Sequence, residues 1–207
     1  MKGSVYTLCY AAMLGSVCAL LLTAAASFTK DYQDANREAE EALNILLALK
    51  IPLPPEMSSK QAIEVRDENV LVAKQGDITT YVYSPPPPDP NGAIAIRFAG
   101  PGLWGPIKGF LALDPDKKVI RGITFYEQEE TPGLGGEIVT PNFRDKFLGL
   151  PIRDEAGELG IIISSRGEPA VNKVDAISGA TMTCDKVQAM LNEAIKSVAT
   201  NSIVEEK

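Results

Sequence analysis

The residues best suited to chemistry stand in the stretch DAISGATMT, Asp175 to Thr183, where Ser178, Gly179, Ala180 and Thr181 precede an amphipathic run. Small side chains there let another molecule approach the backbone, and Gly179 can adopt conformations closed to other residues. The Thr181 hydroxyl would project where unpaired N–H groups and the positive end of a helix dipole meet, a place that favours an anion. The same four letters also suit a plain helix N-cap behind a tight turn. Glu127, Glu129 and Glu130 could be taken for an acid–base set, but carboxylates so crowded, with no neighbouring cation, read as a solvated edge or turn. The sequence has no histidine, so the usual general base and the commonest metal ligand are missing. Of the three cysteines, Cys9 and Cys18 lie in an apolar N-terminal segment, which excludes an intradomain disulfide and a cysteine-built zinc or iron–sulfur site within one chain. Cys184, just past Thr181, reads as a small apolar contact rather than a redox partner.

These residues must be positioned by the elements around them. A helix is expected from about Thr183 to Ala199, with Val187, Met190, Leu191, Ala194, Ile195 and Val198 on one face and Asp185 in its first turn. A short helix is expected around NFRDKFLG. NVLVAK and TTYVYS flank QGD as a hairpin, and SPPPPDPNG then forces an extended linker or long loop. AIAIRFAG reads as a half-buried strand with Ile94, Ile96 and Phe98 inward, and KGFLALDPDKKVIRGITFYEQ as two strands around the turn Asp114-Pro115-Asp116. ELGIIISS is one more strand candidate. One mainly antiparallel sheet with helices on one face gives an α+β class.

The N-terminal part is unlike the rest. From Gly3 to Thr29 there is no charged residue, and a helix of that length exceeds the ~30 Å hydrocarbon core of a bilayer. Small residues at Ala24 and Ala26 also fit a signal-peptidase site, but the uncharged run is longer than a typical signal h-region, which favours retention as a single transmembrane helix. Lys2 against the acidic flank TKDYQDANREAEE favours a cytoplasmic N-terminus with the bulk of the chain outside. Ala39, Ala42, Leu43, Ile45, Leu46 and Leu49 recur at helical spacing as a stalk leaving the membrane, which IPLPPEMSS ends. The expected divisions are an anchor over 1–30, a stalk helix and linker over 31–55, and one domain over 56–207. With 27 acidic against 20 basic residues, the chain lacks the field that would draw it to nucleic acid.

The blocks GPGLWGPIKGFLALD, YEQEETPGLGGEI and DAISGATMT, in that order, resemble the FMN-binding domain family of membrane-bound, ion-pumping flavoproteins. The match is closest to the C subunit of the sodium-translocating NADH:quinone oxidoreductase (Nqr), and looser to the G subunit of the Rnf complex. The resemblance implies that Thr181 carries FMN through a phosphoester bond installed by a flavin transferase, with Asp175, Ser178, Gly179 and Ala180 completing the transferase's recognition pattern. It implies an extracytoplasmic FMN domain on the periplasmic side of the inner membrane, passing electrons among the other membrane subunits of an Nqr-type complex.

The other blocks carry two readings each. By their chemistry Pro132, Gly133, Gly135 and Gly136 make a turn between strand and helix. By resemblance the loop from Glu130 through Thr131, Pro132, Gly133 and Leu134 to Gly135 lies beside the isoalloxazine ring, its glycines baring N–H groups toward the flavin carbonyls. Trp104, the sole tryptophan, reads by default as a core aromatic, and by resemblance lies near the flavin. Two other readings remain at this stage: an Rnf-type or free-standing extracytoplasmic electron carrier, and a non-redox anchored binding module in which SGAT is structural.

Overall fold

The computed structural model describes residues 2–54, 57–75, 78–85 and 92–200. The chain divides into two compact units, Met1–Ala39 and Glu40–Lys207. Helix α1, Lys2–Ala48, is rich in alanine and leucine and free of proline, and from Gly3 it is long and apolar enough to cross a membrane. It stops where Lys50 turns left-handed (φ 58°), Ile51 N–H donates back to the Leu46 carbonyl at 3.1 Å, and Pro52 follows.

Helix α2, Ser59–Asn69, opens with a capping box in which the Ser58 hydroxyl accepts from Gln61 N–H and the Gln61 side chain accepts from Ser58 N–H. No helix is expected there from hydrophobic periodicity, because this segment is largely polar. Five strands then form an antiparallel sheet in chain order: β1 Val70–Gln75, β2 Ile78–Tyr83, β3 Ala93–Pro101, β4 Pro106–Leu113 and β5 Ile120–Glu127. The β1–β2 hairpin is as expected, with Gln75 opposite Ile78, while Gly76, Asp77 and residues 86–91 of the proline-rich stretch lie outside the described residues. Asp114 shapes the β4–β5 turn by accepting at Oδ1 from Lys118 and Val119 N–H (2.6 and 3.1 Å).

Both faces of the sheet are covered, whereas the sequence pattern suggests helices on one. The larger core joins Ile96, Phe98, Leu111, Ile123 and Phe125 to Val187, Met190, Leu191 and Ile195 of helix α4, Thr181–Thr200. The other face carries Ala93, Ala95 and Ala112 around Phe110, and on these small side chains lie Ile45, Leu46, Ala48 and Leu49 from the last turns of α1. Thr124 Oγ1 donates to the Asn44 carbonyl at 3.0 Å, and Gly122 lies against the Ala48 backbone. Strand β3 is therefore buried on both sides from Ala93 to Ile96 and is not half-buried, because the stalk-like helix end returns to roof it.

Between β5 and α4 the chain is mostly irregular, with helix α3, Pro141–Arg144, extended by a 3-10 turn Asp145–Phe147. Of ELGIIISS only Ile162–Ile163 (β6) forms a strand, in parallel with Lys173–Val174 (β7), while Leu159 makes an isolated antiparallel bridge with Arg153. The neighbouring backbone is satisfied by side chains of α4 instead: Ile161 N–H donates to Asn192 Oδ1 and Ile163 N–H to Gln188 Oε1, each at 2.7 Å. Helix α4 begins earlier than the expected Thr183, so Asp185 falls beyond its first turn, and its expected apolar face is buried throughout.

Candidate functional site

Three segments distant in sequence meet at one end of the sheet. The first is the tight β3–β4 turn, closed by Gly102 N–H to Gly105 O at 2.7 Å, which lifts Leu103 and Trp104 at its tip. The second is the loop after β5, where Thr131 O accepts from Leu134 and Gly136 N–H (3.1 and 2.9 Å) and Gly133 is left-handed (φ 74°). The third is the start of α4. Together they line a cleft of about 220 Å3 that includes Leu103, Trp104, Glu130, Thr131, Leu134, Gly135 and residues 179–183.

The local geometry at Thr181 follows from its neighbours. Gly179 has φ +76°, a backbone conformation that selects glycine, and a Cβ there would also approach the end of the Leu134 side chain, Cδ2, to 3.0 Å. Ala180 N–H donates to Ile177 O and Ala180 O accepts the first helical bond, from Cys184 N–H at 3.0 Å, which makes Ala180 the N-cap. A methyl group occupies the position where a capping oxygen is preferred. The plain N-cap reading of SGAT thus lacks a side-chain acceptor on the N-cap residue, and Thr181, Met182 and Thr183, whose first-turn N–H groups no intrahelical carbonyl can reach, line the cleft. Thr181 is exposed at this positive terminus. Around it Leu103, Trp104, Leu134 and Met182 expose apolar surface suited to a flat aromatic ligand.

The arrangement sorts the sequence-based candidates. Trp104, Glu130, Thr131, Leu134, Gly135, Gly179, Ala180 and Thr181 come together, whereas Asp175, Ser178, Pro132 and Gly133 do not line the cleft. The Asp175 carbonyl instead accepts from Lys146 Nζ at 3.4 Å. Trp104 is 70% exposed and is no core aromatic, since it stands at the tip of the turn that joins β3 to β4, beyond the end of both strands. The carboxylates also depart from a uniformly solvated edge. Glu127 pairs with Lys108 at 2.7 Å across β4–β5, Glu129 is exposed, and Glu130 is 4% exposed and accepts three hydrogen bonds. The N–H groups of Leu134 and Gly136 are engaged by Thr131 O rather than bared to the cleft. Cys184 is buried and its Sγ accepts from Ile177 N–H at 3.4 Å; burial pushes its thiol pKa up, as befits an apolar contact. Leu103, Met182 and Thr183 were not expected, although each directly adjoins a residue or motif that was.

Comparison with known proteins settles the family of this site. The sequence profile of the FMN-binding domain matches residues 102–196, which contain every lining residue of the cleft. These residues belong to the FMN-binding domain family. Curated relatives are named as the C subunit of Na(+)-translocating NADH-quinone reductase: one from Neisseria meningitidis serogroup A is 40% identical over 131 residues, covering 62% of this chain and 51% of the relative. One from Vibrio alginolyticus is 33% identical over 162 residues, covering 77% and 56%. The chain spans about half the length of the curated relatives it matches. A crystal structure of the C subunit of Na(+)-translocating NADH-quinone reductase from Parabacteroides distasonis superposes with a TM-score of 0.69 at 25% identity, covering 82% of this chain and 94% of that one.

Proposed function

We propose that this FMN-binding domain carries its flavin covalently, through a phosphoester on Thr181 Oγ1, and serves as an electron-transfer subunit of a sodium-translocating NADH:quinone oxidoreductase. The observation that carries the reading is an exposed threonine hydroxyl at the uncapped start of α4, opening into a cleft walled by Trp104, Leu103, Leu134 and Met182. The donor set fits the group. A phosphate at Thr181 would lie on first-turn N–H groups and the helix dipole, and the exposed apolar side chains would flank a planar ring. Bound FMN supplies the redox chemistry, while the chain supplies position and electrostatics. Helix α1 anchors the chain in the bilayer through residues 3–29, with the domain on the periplasmic side; a flavin transferase loads it, and the remaining subunits of the complex supply and take its electrons. The relatives' shared name supports the assembly, and the apolar helix supports the anchor.

Mass spectrometry of the peptide containing Thr181, from chain matured with its transferase, should show the added mass of FMN less water. Thr181→Ala should abolish in-gel flavin fluorescence while leaving the fold intact. An unmodified Thr181 peptide, or fluorescence surviving the substitution, overturns the assignment.

A further inference from the structure

Glu130 lies beneath the cleft, and its polar contacts reach separate segments. Oε1 accepts from Leu103 N–H at 2.6 Å and Trp104 N–H at 3.2 Å in the β3–β4 turn, and Oε2 accepts from the Thr183 hydroxyl at 2.5 Å in the first turn of α4. Its own N–H donates to Gln128 Oε1 at 2.7 Å, tying it to the end of β5. Two glycines make room for the carboxylate. A Cβ on Gly135 would lie 2.7 Å from Oε2 and 2.6 Å from Thr183 Oγ1, and one on Gly102 would collide with Oε1. An ionised carboxylate is acceptor-only with two oxygens, so one side chain can hold donors from two directions through short, charge-assisted bonds. Trp104 needs such a hold. At 70% exposure its indole buries little surface, so packing alone does not fix it.

We propose that Glu130 is a positioning residue, a latch that fixes the Trp104-bearing turn against the first turn of α4 so that the indole forms a wall of the Thr181 cleft. Only the consequence for a flavin rests on the function proposed above; the latch is a property of the bare chain. Trp104 is the sole tryptophan, so its emission reports on this turn without labelling.

In full chain expressed without flavin transferase, Glu130→Ala should lower the anisotropy of Trp104 emission. Glu130→Gln should keep the wild-type value, because its amide oxygen still accepts from both N–H groups and its amide nitrogen can donate to Thr183 Oγ1. In flavin-loaded chain, emission quenched by the neighbouring flavin should rise several-fold in Glu130→Ala, corrected for flavin per chain, and stay low in Glu130→Gln. A mere loss of stability would lower the unfolding temperature without this signature. Should Glu130→Ala fail to fold, Thr183→Val removes the Oε2 bond alone and should give an intermediate anisotropy. Wild-type anisotropy in the folded Glu130→Ala chain overturns the latch, as does wild-type anisotropy in Thr183→Val, or Glu130→Gln behaving like Glu130→Ala. An unmodified Thr181 with this anisotropy pattern intact would instead sink the flavin assignment and support the latch.

Discussion

Gly179→Ala is the sharpest test of the geometry at the start of α4. The residue sits at φ +76°, and a left-handed backbone costs a residue bearing a Cβ about 1–2 kcal/mol relative to glycine. The new Cβ would also lie 3.0 Å from Leu134 Cδ2, but that atom ends an exposed side chain that can swing aside, so the backbone term should dominate. For a chain of this size the loss corresponds to a fall in unfolding temperature of roughly 2–8 °C. Thermal unfolding of the full chain in detergent, followed by its near-UV aromatic signal, measures it. Gly179→Asn meets the same leucine yet tolerates the left-handed region better, so it should lose less than alanine. A double-mutant cycle with Leu134→Ala separates the contact, and its coupling should stay below about 0.5 kcal/mol. An alanine variant as stable as wild type, or a coupling that accounts for most of the loss, would refute the claim that backbone conformation selects this glycine.

Further outcomes follow from groups that do not line the cleft. Burial pushes the Tyr126 phenol up to about 12, from an ordinary 10.0, so the folded chain keeps a proton that the unfolded chain releases above the lower value. That contribution is fully present below the unfolded value and is lost as pH rises through the window between the two; urea midpoints measured across it should fall, and fall less in Tyr126→Phe. Cys184 should resist alkylation in the folded chain and react only after denaturation, as peptide mass spectrometry would show; ready modification of native Cys184 would contradict its burial. Gly122→Ala would drive a Cβ into the Ala48 carbonyl, so unfolding should show a loss of about 1–3 kcal/mol if the end of α1 packs on the sheet as described.

What the sequence discloses and what it conceals divide along the range of the interactions. The α4 stripe from Val187 to Val198 and the β1–β2 hairpin are legible because periodicity and turn residues act within a few positions. Helix α2 has little apolar periodicity, and its one clear signal, the Ser58–Gln61 capping box, is also local, so reading caps as well as hydrophobic pattern would have found it. ELGIIISS misleads because Asn192 and Gln188 take the hydrogen bonds that a longer strand would have made, and nothing in those eight letters shows a helix side chain standing in for a strand. Glu130 is the limiting case. Its composition-level context, a run of acids beside glycines, describes exposed Glu129 equally well. What separates the two is that Glu130 meets donors 26, 27 and 53 residues away, each brought within reach only after β3, β4, β5 and α4 have assembled. A residue whose role is to join segments carries its signal in the fold and not in its neighbours, which is why the run of small residues before α4 stands out in a few letters while the contacts that Glu130 makes across the cleft do not.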